Sequence, residues 1–468
     1  MKSRVSIKHN RKHNRKHTKK HTHKHTNKLP KTLPIKLYKN EQGTRLLFTP
    51  SRTESESSSI YFYFKVGSKD EPKNINGISH FIEHMIFKGS PKFPNYLDIS
   101  KTFDANGIEF NAFTSKDMTA YHYKFLSTKE NIDIICKITS DMIMNPLMRE
   151  REIKTERNVI IQEYNDDLDD VDEYIADKLE ECLLEGHPLG QTIIGSLETI
   201  KSINRKDMMT YHKKHYRSDN LLIGFSGKMR SEYEPIIEKY FGGSGSFKPI
   251  SIKNVEGSLV MTPFVDKHPF SKVDCFPKEL KQDYIHIIFK TKGYFDPMKN
   301  HLRLIKNIMG SNMSSRLFVE IREKLGLVYS IRCEISNYED MGYFDITAQT
   351  EVKDTVKCID AVFKELVKLK KFGIDEKELK DNKKNYCDIY QTNFDDIEYE
   401  NEYYSKQILL NRPIETREMR IGTIQAITAK ELHDVALDIF DFNKVHIITF
   451  GEVKKHTIQK ILDKYMEK

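Results

Sequence analysis

Tryptophan is absent from this 468-residue chain, and cysteine is scarce. The six cysteines (Cys136, Cys182, Cys275, Cys333, Cys358 and Cys387) are scattered with no C-x-x-C pair. That excludes a zinc-finger arrangement and a disulfide framework, and suits a reducing compartment. No apolar run approaches the roughly 18 residues of a membrane-spanning helix, and no signal-peptide core precedes the domain. The expectation is a soluble intracellular protein, cytoplasmic, with a mitochondrial location the weaker reading. Acidic residues are missing from the first 40 positions, which hold 14 Lys or Arg and, between His9 and His25, six histidines. Removing those 14 of the 76 basic residues leaves 62 against 68 acidic, so a body of net charge −6 sits behind a tail that makes the whole +8. A like-charged block poor in apolar residues predicts disorder over residues 1–33. As a mitochondrial presequence it lacks the apolar face of an amphipathic helix. Charge-driven contact with nucleic acid or another polyanion, stray metal binding by the histidines, and a solubilising tail without a partner all stay open.

What the body does contain is concentrated in GISHFIEHMIFKGS, residues 77–90. Within it His80, Glu83 and His84 form H-x-x-E-H, the reverse of the commoner zinc-hydrolase order H-E-x-x-H. Histidines four apart on a helix share a side and can grip one metal ion, with Glu83 beside them to hold the water that such a metal activates. Ile78, Phe81, Ile82, Met85 and Ile86 follow helical apolar spacing, with Asn76-Gly77 as a break before and Gly89 as a stop after. The histidines fall opposite the centre of that stripe, so the helix is expected to display them and not bury them.

A catalytic zinc takes three protein ligands. The downstream candidate is a helix-like segment from about Met148 to Asp167, in which Glu156 and Glu163 lie two turns apart on one face and Val159 and Ile160 serve as anchors. Taken alone, two carboxylates on one helix face are more often plain solvated surface.

With these motifs the chain resembles the pitrilysin/insulinase-type zinc metallopeptidases, the inverzincins, and especially their short two-subunit branch, which includes the mitochondrial processing peptidase and bacterial relatives. The resemblance implies that His80, His84 and Glu163 are ligands of one zinc ion per chain, that Glu83 is the general base, and that Glu156 supports the site without ligating. Glu163 stands 79 residues beyond His84, slightly long for the family, as a small loop insertion would make it. The FKGS of residues 87–90 follows the motif as the family's F-K-G-T does. Asn111, Ala112, Phe113 and Thr114 resemble the N-A-x-T strand that lies along the substrate, and an edge strand can bind an extended peptide by main-chain pairing. The family's Gly pair before this strand is reduced to Asn106-Gly107, where Asn, which tolerates positive φ, is expected to preserve the turn.

Internal comparison argues for duplication of a unit of about 220 residues. Ile203 and Gly227 are echoed by Ile427 and Gly451, both 224 later, and Ile60 by Ile285, 225 later. At the positions of His80 and His84 the second copy has Ile305 and Met309, so it cannot hold this metal. It carries instead Arg322 and Tyr329, which resemble the family's Arg/Tyr pair near the substrate carbonyl. Both are donors suited to the oxyanion formed as water attacks a peptide bond.

The expected fold class is α+β, two homologous halves, each an antiparallel sheet covered by helices, together half of a clamshell. The expected limits are a tail over 1–33, a zinc-binding half over 34–252, a linker and start of the second half over 253–282, marked by Gly257, Pro263, Pro269 and Pro277, and a metal-free half over 283–468. By resemblance Arg322 and Tyr329 of one subunit complete the zinc site of another, in a homodimer or a heterodimer with a related subunit. The implied activity is zinc-dependent hydrolysis of unfolded peptides or presequence-like segments inside a dimeric chamber. The alternative is a non-catalytic subunit like the respiratory-complex core proteins.

Overall fold

A computed structural model describes residues 35–50, 55–243, 248–249, 271–339 and 341–466. The tail over 1–33 and residues 253–270 of the expected linker lie outside the described residues. No helix among the described residues is long and apolar enough to cross a membrane.

Two sheets organise the chain. The first runs, in spatial order, Glu109–Thr114, Thr119–Leu126, Ser57–Phe64, Leu221–Gly227, Arg45–Pro50, Lys36–Lys39 and Lys248–Pro249. The second runs Val328–Asn337, Gly342–Thr350, Asp283–Thr291, His446–Gly451 and Lys272–Pro277. Strand for strand, the second repeats the first five of the first, which is the duplication seen in the sequence offsets. The strand Lys272–Pro277, at the end of the expected linker, belongs to the second sheet. Gly227 and Gly451, paired by that offset, both adopt positive φ, +127° and +137°. A Cβ there would meet Ser58 Oγ at 2.5 Å and Asp283 Oδ1 at 2.0 Å.

Strand pairing is antiparallel except for one parallel pair in each sheet, Arg45–Pro50 with Leu221–Gly227 and Lys272–Pro277 with His446–Gly451. Parallel neighbours need a long crossover. Here it is the body of the half itself, from Pro50 to Leu221 and from Pro277 to His446.

Alternation along Ser57–Phe64 sends Ile60, Phe62 and Phe64 into the first half's helical core. Tyr61 and Tyr63, on the opposite face, are nonetheless buried. The cover on that face comes from the other half. Helix Ile397–Leu409 crosses it, with Asn401 Nδ2 donating to the Gly224 carbonyl at 2.9 Å and Tyr61 OH donating to Glu398 at 3.3 Å. Any Cβ at Gly224 would lie 2.2 Å from Ser405 Oγ, so only glycine fits under this helix. The exchange is reciprocal: Ile175, Leu179 and Leu183 of helix Val171–Leu183 pack with Ile288, Tyr343, Ile448 and Phe450 of the second sheet. Both helices have 13 residues and an aspartate N-cap, Asp170 or Asp396.

Candidate metal centre

The stripe predicted for the H-x-x-E-H helix forms its buried side: Ile78, Phe81, Ile82, Met85 and Ile86 are all at most 1% exposed in the helix Ile78–Ile86. Gly77 opens it at φ +94°, pressed so closely on Ile194 that a Cβ would sit 2.4 Å from that carbonyl. The first turn's amides are met by a group that belongs to no motif. Glu71 accepts hydrogen bonds from the amides of Gly77 (2.6 Å) and Ser79 (2.7 Å) and from Asn76 Nδ2 (2.7 Å). A carboxylate at a helix N-terminus is favoured by the dipole. Burial nevertheless pushes its pKa up to about 7, against the pull of those donors.

Helix Glu150–Asp169 lies against this one. It covers His80, which is 9% exposed and not displayed as the helical wheel suggested; a periodicity argument sees one helix and not its neighbour. Val159, expected as an anchor, is 48% exposed, and Ile153, Glu156 and Ile160 are the buried positions.

Between the two helices three side chains converge. The Nε2 atoms of His80 and His84 are 3.2 Å apart, and Glu163 places Oε1 3.6 Å from His80 Nε2 and Oε2 3.7 Å from His84 Nε2. Tetrahedral zinc with bonds of about 2.0–2.1 Å holds its ligand atoms about 3.3–3.4 Å apart, so the donor set fits the ion closely. His84 Nδ1 faces Glu156 Oε1 at 2.9 Å, which fixes the proton on Nδ1 and turns the Nε2 lone pair inward. Glu156 Oε2 in turn takes Lys88 at 2.6 Å.

The electrostatics agree with a cation. Burial, with His84 adding to it, brings the His80 pKa down to about 3, leaving the neutral imidazole that ligation requires. His84 is lowered by burial but raised overall by its bond to Glu156 and by the charges of Glu83 and Glu163. Glu163 is raised by burial and by Asp167, Glu156 and Asp166, with His84 opposing: negative charge exceeds positive around it.

Glu83 is 9% exposed, and its Oε2 accepts from Thr114 Oγ1 at 2.6 Å. Thr114 ends Glu109–Thr114, the edge strand of the first sheet, so Asn111, Ala112, Phe113 and Thr114 have one neighbouring strand and one side unpaired within the sheet. In the turn before that strand Gly107 takes positive φ (+60°) while Asn106 stays at −106°, so the remaining glycine carries the turn, not the asparagine.

Arg322 and Tyr329 sit elsewhere, on the second half. Arg322 lies in a π-helical segment, Phe318–Lys324, stacked 4.7 Å from the Phe318 ring and 5.9 Å from that of Tyr329. Tyr329 is 72% exposed on the second sheet's edge strand, Val328–Asn337. Among the described residues no hydrogen bond, ion pair or ring contact joins the pair to His80, His84 or Glu163 of the same chain.

Comparison with known proteins accords with this geometry. Residues 46–197 match the family described as Insulinase (Peptidase family M16), and residues 202–386 match its Peptidase M16 inactive domain. An uncharacterized zinc protease of Rickettsia felis is 33% identical over 300 residues, 63% of this chain and 68% of its own length. The uncharacterized zinc protease YmxG of Bacillus subtilis is 29% identical over 406 residues, covering 87% of this chain and 96% of that one. Among solved structures, a Helicobacter pylori protease superposes with a TM-score of 0.80 at 19% identity, over 90% of this chain and all of the other.

Proposed function

The chain belongs to the insulinase, or M16, peptidase family, and from that premise we propose that it is a zinc-dependent endopeptidase acting on unfolded peptides or presequence-like segments. The observation that carries this is the convergence of His80, His84 and Glu163 beside a buried glutamate tied to an edge strand. His80, His84 and Glu163 would hold one zinc per chain. Bound there, zinc supplies a Lewis acid for carbonyl and water.

The remaining work falls to the chain. Glu83 takes the proton of the attacking water and returns it to the leaving amine; burial raises its pKa, and Thr114 and His84 oppose that rise. Glu156 orients His84 and does not ligate. The strand Asn111–Thr114 receives the peptide by main-chain pairing, which selects an extended backbone over any side-chain sequence. Arg322 and Tyr329 offer guanidinium and phenol donors to a developing oxyanion. With neither in contact with the zinc ligands of its own chain among the described residues, the complete site takes them from a second subunit, a copy of this chain or a related one.

The test is hydrolysis of a mixed library of unstructured peptides by zinc-loaded protein beside Glu83→Gln. Cleavage that the variant loses supports the reading. Zinc bound one per chain with no cleavage by either would instead favour a non-catalytic subunit.

A further inference from the structure

A cavity of about 200 Å³ opens between the start of helix Lys299–Gly310, helix Ile397–Leu409 and the loop that follows it. Five basic side chains line it against two carboxylates, Glu402 and Glu415. Both carboxylates are already engaged. Glu402 pairs with Lys406, and Glu415 is taken by Arg420 at 2.6 Å, by Asn300 at 2.8 Å and by Arg303 at 3.5 Å.

That leaves Lys299 and Arg412 poorly matched. The hydrogen bond of Lys299 is a long one, 3.4 Å to the Tyr294 carbonyl. Its pKa is drawn down by burial and by Arg303, Arg420 and Arg412, which outweigh Glu415. Arg412 is 9% exposed and stacked 3.0 Å from the Tyr294 ring centroid, its nearest carboxylate, Asp117, is 3.7 Å away, and its Nε has no hydrogen-bond partner. A buried guanidinium with an unmet donor is costly unless an acceptor meets it, and around Lys299 the neighbouring guanidinium charges outweigh Glu415. A planar or tetrahedral oxyanion supplies both the charge and the acceptors, and the guanidinium fork matches it.

We infer that this cavity is a binding site for a compact oxyanion of the carboxylate or phosphate class, held chiefly by Arg412 and Lys299. Its wall adjoins the edge strand: Lys406 lies 5.6 Å from the Phe113 ring, and Asp117, the partner of Arg412, follows Thr114 by three residues. The oxyanion therefore has two sources, a free ion such as phosphate, or an acidic group of a peptide laid on that strand; only the second rests on the function proposed above.

The experiment uses the full-length chain carrying Glu83→Gln, so that no peptide is consumed, in chloride buffer of constant ionic strength. Calorimetric titration with inorganic phosphate is expected to saturate at one per chain, with Lys299→Gln weakening it at least tenfold and the exposed control Lys384→Gln leaving it unchanged. Arg412→Gln should weaken it further; should that variant fail to fold, Lys299→Gln alone decides, since the one side-chain hydrogen bond it removes is the long one to Tyr294. A second arm compares one unstructured peptide with a free or an amidated C-terminus. Preference for the free carboxylate, lost in Lys299→Gln, assigns the site to the substrate; equal binding of the two peptides beside tight phosphate binding assigns it to a free ion. Failure of both peptides to bind would count against the peptide-binding reading and leave the phosphate result to stand by itself. Neither phosphate nor carboxylate bound above the chloride background, or binding undiminished by Lys299→Gln, overturns the inference.

Discussion

Thr114 donates its hydroxyl to Glu83 at 2.6 Å, joining the edge strand of the first sheet to the helix that carries both histidines. That bond favours the ionised carboxylate and so lowers the Glu83 pKa against the raising effect of burial. Removing it in Thr114→Val therefore raises the pKa. A general base must be deprotonated to act, so the acid limb of kcat/KM should move to higher pH. The loss of a hydrogen bond to a charged group, about 1.5–3 kcal/mol, corresponds to a shift of about one to two pH units, and to a roughly 10- to 100-fold fall in rate at pH values below the shifted limb. Thr114→Ser should keep the wild-type profile. An unmoved acid limb in the valine variant would remove Thr114 from the site.

Glu156 meets the proposed metal ligands by its hydrogen bond to His84. Losing such an outer partner typically weakens metal binding by about 10- to 100-fold without abolishing it. Glu156→Ala should show that loss in chelator competition, whereas Glu163→Ala, which removes a proposed ligand, should lose far more. Equal losses in the two variants would contradict the division of roles between them.

Glu398 links the exchanged helix to the first sheet through His122 and Lys124. The bond from His122 is the largest influence and, with Lys124, holds its pKa down to about 2 against the opposing effect of burial. A carboxylate depressed in the folded state stabilises it fully above the unfolded value of about 4.3, and the gain disappears as pH falls through the folded value. With allowance for solvent screening the contribution is about 1–2 kcal/mol. Denaturation of Glu398→Gln beside wild type should show that gap at neutral pH, narrowing from pH 4.5 and closing near pH 2. A constant gap would mean that the glutamate contributes by packing alone.

The local features were legible from the residues. Apolar spacing marked the H-x-x-E-H helix, whose stripe is buried residue for residue, and constant offsets revealed two copies whose sheets share one strand order. What periodicity did not reveal was long-range contact. The burial of His80 comes from a helix 70 residues onward, and Val159 lies exposed beside the buried Ile160, a choice between adjacent apolar residues that only the neighbouring helix decides. Glu71 carries no motif, only a position from which a carboxylate meets Gly77 and Ser79. Tyr61 and Tyr63 alternate with the core residues Ile60, Phe62 and Phe64, and only the fold supplies the helix, more than 330 residues away, that covers them.

That mutual loan of helices makes the two copies unequal in chemistry and inseparable in construction. Cut the chain between the sheets and each fragment is left with a naked aromatic face: Tyr61 and Tyr63 on one side, Tyr343 and Phe450 on the other. The copy bearing Ile305 and Met309 in place of histidines is thus no idle remnant. It supplies the helix that closes its sister's sheet, and without it the half carrying His80 and His84 loses the cover over Tyr61 and Tyr63.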